Sequence, residues 1–455
     1  MDIVIKDGKL VDFENRRFIE KNICIKNSKI YLISGSEING DTIIDAHGAI
    51  VSPGFIDIHN HVDYNFKVHN PDPFETAKHL LLMGVTTAVG GNCGGGITDI
   101  NKYFDYIQKN GAPVNYMGFV GHGELRQEVG NDDVYKTSTK AQIRQMKSIA
   151  SAAMNDGAIG ISFGLEYYPG ATTDEVIEVC EVVNQFPGRF VSVHVRYDAS
   201  RSLEGLKEMI DVGRQTNVPV QISHLNSCAC FGFAKRALEM IDEAVDEGID
   251  ITADAYPYNA FSTSAGSTVF TDECFERWDV GYDSIVVAFG EYQGKRCDKE
   301  LFEYIRREHP EASLIAFVMN QEEVDMVQYH PNIMISSDGN INKGCGHPRA
   351  AGTFPRALHE YTAGKRDDDL ICFLEKMTKI PAKRLGLNKK GALLEGHDAD
   401  IVIFNRDKIK DKSTFERPTQ KPEGIDYVIV NGQIAVEKGD IINENLGRAI
   451  KDHRQ

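Results

Sequence analysis

Two histidines stand two residues apart at the end of an apolar run, Phe55–Ile58, in the stretch PGFIDIHNHVD (53–63). Residues i and i+2 of a β-strand face the same side, so His59 and His61 would aim both imidazoles at one spot where the strand stops. Imidazole nitrogen is a usual ligand of zinc. An isolated His-x-His is equally a pair of loop histidines, and the rest of the chain has to decide. Further residues able to do chemistry end other apolar runs: Cys93 in GGNCGGG, His122 and Glu124 in GHGELR, His194 and Arg196 in HVR, His224 in SHL, Asp254, Tyr256 and Tyr258 in DAYPY, and Asp338 in SSDG. Imidazole and thiolate together fit Zn²⁺, which would hold Cys93 deprotonated. Asp338 fits a different task, taking a proton from a metal-bound water and delivering it to a leaving group. A metal lowers that water's pKa from about 15.7 to roughly 7, so metal hydroxide can attack an amide carbonyl at neutral pH. GGNCGGG has neither the spacing and Lys of a phosphate-binding loop nor the spacing of a dinucleotide fingerprint. A hydrolytic pair of Cys93 with a single His would leave the other imidazoles without a purpose.

These residues need a scaffold that brings strand ends together. Apolar runs recur from residue 53 onward: FIDIHNH, TTAVGGNCG, VNYMGFVGHG, IGISFGLEY, FVSVHVR, VQISHLN, ITADAYP and IMISSDG. Stretches such as TTDEVIEVCEVVNQF and FAKRALEMIDEAVDEG, with apolar positions at helical spacing, separate them. Buried strands alternating with helices imply a parallel sheet, and eight of them an α/β fold of the (β/α)₈ type, with its active site at the C-terminal strand ends. The expected catalytic barrel covers 53–390, interrupted around 259–330 by an insertion over the mouth, a candidate lid. Residues 1–52 and 391–455 alternate apolar and polar residues between turns, and VIVNGQIA near the end echoes VIKDGKLV near the start. Neither end has enough strands for a sheet of its own, so the two are expected to form one composite domain, a small β-sandwich.

Composition narrows the partners. The chain has 455 residues, 42% hydrophobic and 26% charged, an ordinary balance for a soluble protein. A net charge of −17 argues against nucleic acid and leaves room for a small anionic substrate served by a local Arg. Nine cysteines, odd in number and scattered, do not read as a disulfide framework. The opening MDIVIKDGKL has no apolar leader core, and no run approaches the roughly 18 apolar residues of a membrane span. A cytoplasmic protein is expected, and a homo-oligomer is compatible with the sequence.

The motifs as a set resemble the amidohydrolase superfamily and, within it, the N-acyl-D-amino-acid deacylases (D-aminoacylases). The resemblance rests on HNHVD (59–63), GNCG (91–94), GHGELR (121–126), GLEYYPG (164–170), HVR (194–196), SHL (223–225), DAYPY (254–258), SSDG and HPRAAGTFPR (347–356). It continues through PAKRLGL to VNGQIAVEKG, nearly end to end. Many amidohydrolases bridge two metals with a carboxylated Lys from strand four, but IGISFGLEY has no Lys. The deacylases use the Cys of GNCG, here Cys93. The resemblance implies a metal-dependent hydrolase barrel with one tight zinc site on Cys93, His194 and His224. It implies a weaker second site on His59 and His61 that shares Cys93, and Asp338 as general acid/base. It also implies that Tyr258 and Arg349 bind a substrate carboxylate. Asn226 stands where a Lys is expected beside them, exchanging a charge-assisted contact for a neutral hydrogen bond, a loss of about 1–3 kcal/mol. The expected reaction is hydrolysis of an N-acyl-D-amino acid. A cyclic-amide hydrolase of hydantoinase or dihydroorotase type is the alternative, and a non-catalytic scaffold the third reading. Cys228 and Cys230, close by, are expected to be packing residues.

Overall fold

The computed structural model describes residues 1–452. Eight parallel strands make up its centre, each short and buried: Phe55–Asp57, Val85–Gly90, Asn115–Gly118 continuing at Val120–Gly121, Gly160–Gly164, Phe190–His194, Val220–Ile222, Ile251–Ala255 and Ile333–Ile335. Their side chains face packed layers on both faces, which is why they read as continuous apolar runs. They pair in chain order as two sheets, of three strands and of six. The chain itself joins the sheets at Phe119, whose amide donates to Gly90 O (3.1 Å). The other seam lies between the first and last strands. There the laddering is replaced by a single parallel bridge, Asn60 to Gly339, flanked by Asp338 N to His59 O (2.8 Å) and His61 N to Gly339 O (2.9 Å).

Local chemistry explains the intervening helices. Thr139 caps Lys140–Asn155 in a reciprocal box with Gln142, Thr172 caps Thr173–Val183, and Asn320 caps Gln321–Tyr329. Each cap satisfies backbone donors that a helix start leaves open. Between the seventh and eighth strands, Phe261–Ser264, Ser313–Ala316 and Ile285–Val287 form a separate antiparallel sheet, with the short helix Cys274–Trp278 and the longer Lys299–Glu308 beside it.

The two chain ends share one sheet of nine strands. Ile401–Phe404 from the far end lies antiparallel to Ile50–Pro53, with Ile403 opposite Val51. Phe55 stands where this sheet meets the centre: its ring stacks on Phe354 (5.7 Å) and tilts against Phe404 (6.3 Å). No helix among the described residues is long and apolar enough to cross a membrane.

Candidate metal centre and active site

His59 and His61 leave the first strand at the seam with the last, and that seam pairing sets what they meet. His61 Nε2 lies 3.1 Å from Asp338 Oδ1, and His59 Nε2 lies 3.5 Å from the same oxygen. His59 is fully buried, whereas the His61 side chain is 27% exposed. Asp57, two residues before His59 and on the same face, accepts from Ser337 N (3.0 Å) and from the Ser337 hydroxyl (2.5 Å), a further tie across the seam. Burial is the first influence on Asp57 and raises its pKa to about 7 against the bonds from Ser337.

Cys93 enters from a glycine turn after the second strand. A Cβ on Gly91 would stand 2.4 Å from Phe119 O, and Gly91 has φ +77°, so only glycine fits that turn. Cys93 itself has φ +53°, and His224 and Asp338 also lie in the left-handed region at +32° and +48°. Three site residues thus sit in backbone conformations that cost energy and that the surrounding structure must enforce. The Cys93 sulfur lies 3.3 Å from His59 Nε2 and 3.4 Å from His224 Nε2. His194 Nδ1 lies 3.1 Å from His224 Nε2.

Two donor groups result, Cys93 with His59 and His224, and His59 with His61 and Asp338; within each, the donor atoms all lie within 4.8 Å of one another. His59 belongs to both. The donors fit zinc: sulfur and imidazole nitrogens, each able to present a lone pair, converge from separate strand ends. The outer nitrogen of each buried imidazole meets an oxygen. His59 Nδ1 is 3.4 Å from Asp254 Oδ1, His194 Nε2 is 2.8 Å from Glu166 Oε2, and His224 Nδ1 is 2.8 Å from Ser227 Oγ. Metal-ligating histidines characteristically have such outer partners, which orient the ring. Asp254 is itself fixed by His224 N (2.9 Å), Ser336 Oγ (2.7 Å) and Gln221 Nε2 (2.8 Å).

The electrostatics follow from this crowding. Burial works against charge on every member, and the partners overcome it. It would raise the Cys93 thiol, but His59 and His224 hold it well below its usual value. Burial disfavours charged His61 and His194, yet the bond to Asp338 lifts His61 to about 9, and Cys93 with Glu166 lifts His194 to about 10. Burial would also raise Asp338, but Arg349, His224 and His61 bring it well below the carboxylate range. Arg349 Nη1 lies 2.8 Å from Asp338 Oδ2, and the guanidinium sits over the Tyr256 ring at 4.6 Å. Its Nη2 donates to Ser262 O (3.3 Å), and its buried Nε has no hydrogen-bond partner. A small cleft of about 20 Å³ opens here, lined among others by His194, His224, Asp338, Arg349, Glu166 and Phe261.

The other residues singled out in the sequence have different surroundings. Tyr258 is buried, its hydroxyl 3.4 Å from Asp411 Oδ2 and its ring under Arg356 (4.8 Å). The Asn226 amide is also buried; it accepts from Tyr256 N (3.3 Å) and donates to Tyr258 O (3.5 Å), bracing the loop after the seventh strand. His122 forms a closed cluster with Glu175 (2.9 Å), which also accepts from Arg126 (2.7 Å). Glu124 pairs with Lys67, and Arg196 with Glu208. Cys228 lies 3.7 Å from His224 Nδ1, and Cys228 and Cys230 are both buried free thiols. Glu166, Ser227 and Asp57 were not identified from sequence. Glu166 lies in GLEYYPG at the end of the fourth strand, and that position is the one signal that could have marked it.

Known proteins resemble this chain along its whole length. The amidohydrolase family profile (Amidohydro_3) matches residues 310–436. A D-aminoacylase from Alcaligenes xylosoxydans xylosoxydans is 32% identical over 99% of this chain and 97% of its own length. The crystal structure of N-acyl-D-glutamate deacylase from Bordetella bronchiseptica, bound to zinc and a phosphonate mimic of the tetrahedral intermediate, superposes with a TM-score of 0.87 at 28% identity, covering 99% of both chains. A D-aminoacylase structure concerned with one-metal activation and second-metal attenuation of a binuclear centre matches at 0.85 and 29% identity, covering 98% of this chain and 99% of that one. Similarity along the whole length, with cysteine, histidines and aspartate gathered as described, places this chain in the D-aminoacylase family of amidohydrolases.

Proposed function

We propose that this protein hydrolyses the amide bond of N-acyl-D-amino acids with zinc as its cofactor, releasing a carboxylate and a D-amino acid. The observation that carries this reading is the position of Asp338, which touches His59 and His61 on one side and Arg349 on the other. In this reading Cys93, His194 and His224 hold the tight zinc, while His59 and His61, sharing Cys93, hold a weaker second ion. Bound zinc supplies an acidified water and polarises the scissile carbonyl. Asp338, kept ionised by Arg349, begins as the base: it accepts the water's proton and returns it to the departing nitrogen. In this reading Arg349, which lines the cleft, also meets the substrate carboxylate, whose geometry a planar guanidinium matches. Asn226 braces the loop that carries Tyr256 and Tyr258. A small carboxylate-bearing substrate and a cytoplasmic setting go with this reading.

A hydantoinase-type reaction on a cyclic amide has less support, because the fourth strand, Gly160–Gly164, offers no lysine to bridge two metals. A panel of N-acetyl, N-formyl and N-succinyl D- and L-amino acids, run beside hydantoins and dihydroorotate with metal analysis of the same sample, tests the proposal. Turnover of the D-series by zinc-containing protein is expected. Turnover confined to cyclic amides, or a protein active without metal, would overturn it.

A further inference from the structure

One of the contacts between the metal centre and the insertion between the seventh and eighth strands runs through Glu166. Glu166 Oε2 meets His194 Nε2 at 2.8 Å, which leaves Nδ1 of the same ring facing His224. A carboxylate can only accept there, so it selects the His194 tautomer protonated at Nε2 and frees the Nδ1 lone pair for a metal. The insertion holds this glutamate at both ends. Thr268 Oγ1 donates to Glu166 O (2.5 Å), and Arg277 Nη2 lies 3.7 Å from Glu166 Oε1. Arg277 Nε also pairs with Asp198 Oδ1 (2.5 Å), and the neighbouring Trp278 indole donates to Asp198 Oδ2 (2.7 Å). Asp198 follows the fifth strand, four residues after His194. The short helix Cys274–Trp278 is therefore pinned to the segments on either side of His194.

We infer that Glu166 is a positioning residue that presents His194 Nδ1 to the metal, and that Arg277 couples docking of the insertion to metal binding through it. This rests on the reading of His194 as a zinc ligand, but not on the identity of the substrate. Removing zinc would loosen His194, then Glu166, then the helix carrying Arg277 and Trp278. The converse follows by linkage: an undocked insertion lowers zinc affinity.

Trp278 is the chain's single tryptophan, so its fluorescence reports this docking without any assay of turnover. The wild-type protein, stripped and titrated with zinc, should change emission with the same midpoint as metal binding measured by a competing chelator. Glu166→Gln, whose amide can donate to Nε2 and select the wrong tautomer, should weaken zinc about 10–100-fold. Glu166→Asp should recover part of that loss. Arg277→Met should still bind zinc, but more weakly than wild type, and should lose the tryptophan response. In the zinc-bound wild type, nitrogen NMR should place the His194 proton on Nε2, a measurement that does not depend on any variant folding. Emission indifferent to zinc in the wild type would overturn the coupling, and a proton on Nδ1 would overturn the positioning role. If the wild type binds zinc as described yet hydrolyses no N-acyl-D-amino acid, the proposed function fails and this inference stands. If it hydrolyses them while Glu166→Gln retains wild-type zinc affinity, the reverse holds.

Discussion

His61 Nε2 and Asp338 Oδ1 lie 3.1 Å apart because their backbones are paired: Asp338 N donates to His59 O, and His61 N donates to Gly339 O. The ligand pair that ends the first strand and the acid that ends the last are thus held in register by main-chain bonds. One seam of the sheet carries one candidate donor group, His59, His61 and Asp338.

Asp338→Asn is expected to bind zinc normally and to lose about 10²–10⁴-fold in kcat, the usual contribution of a general acid/base. The amide keeps the shape but cannot accept and return a proton. Metal analysis and single-turnover kinetics on one preparation check this, and substantial residual turnover would remove Asp338 from that role.

Cys93→Ala should lose the tightly held zinc. The sulfur lies 3.3–3.4 Å from both His59 and His224, and among the described residues no other cysteine belongs to either donor group. Inductively coupled plasma analysis after dialysis is the measurement. Metal content equal to wild type would show that the imidazoles suffice.

Zinc affinity should rise with pH up to about 9–10. Without metal, His61 titrates near 9 and His194 near 10, each raised by acidic neighbours against the effect of burial. Below those values protons compete with zinc for the ring nitrogens, so apparent affinity falls as pH falls. Chelator competition at several pH values gives the slope, and a flat profile between pH 6 and pH 9 would contradict it.

Arg349→Met should raise KM and move the acidic limb of the kcat/KM profile to higher pH. The guanidinium 2.8 Å from Asp338 is the leading influence that lowers this carboxylate, so removing it raises the pKa of the group and Asp338 becomes the ionised base only at higher pH. An unchanged acidic limb would mean that the imidazoles alone keep Asp338 ionised.

Phe55→Ala should destabilise the protein by about 3–5 kcal/mol. The ring is fully buried between Phe354 and Phe404, at the join of the central strands and the sheet built from both chain ends. Thermal unfolding of the zinc-bound protein measures it, and a negligible shift would mean that the join repacks.

Local pattern and strand-end chemistry made much of this molecule legible from its residues alone. Alternating apolar runs and helical stretches specify an α/β chain, because burial on both faces of a parallel sheet demands continuous apolar strands. A histidine, cysteine or aspartate just past such a run stands at a strand's C-terminal end, so the candidate metal ligands and Asp338 could be read in order along the sequence. Their contacts could not. His61 and Asp338 are 277 residues apart, and only closure of the first strand on the last brings them together. Asn226 and Tyr258 read as substrate-facing in a motif, yet their amide and hydroxyl are engaged by loop backbone and by Asp411, which folding alone decides. Glu166 carries only its strand-end position, and Arg277 and Asp198 carry no pattern that marks them: a charged residue in a loop is ordinarily solvated, and its role depends on which buried nitrogen or carboxylate the tertiary structure sets opposite it.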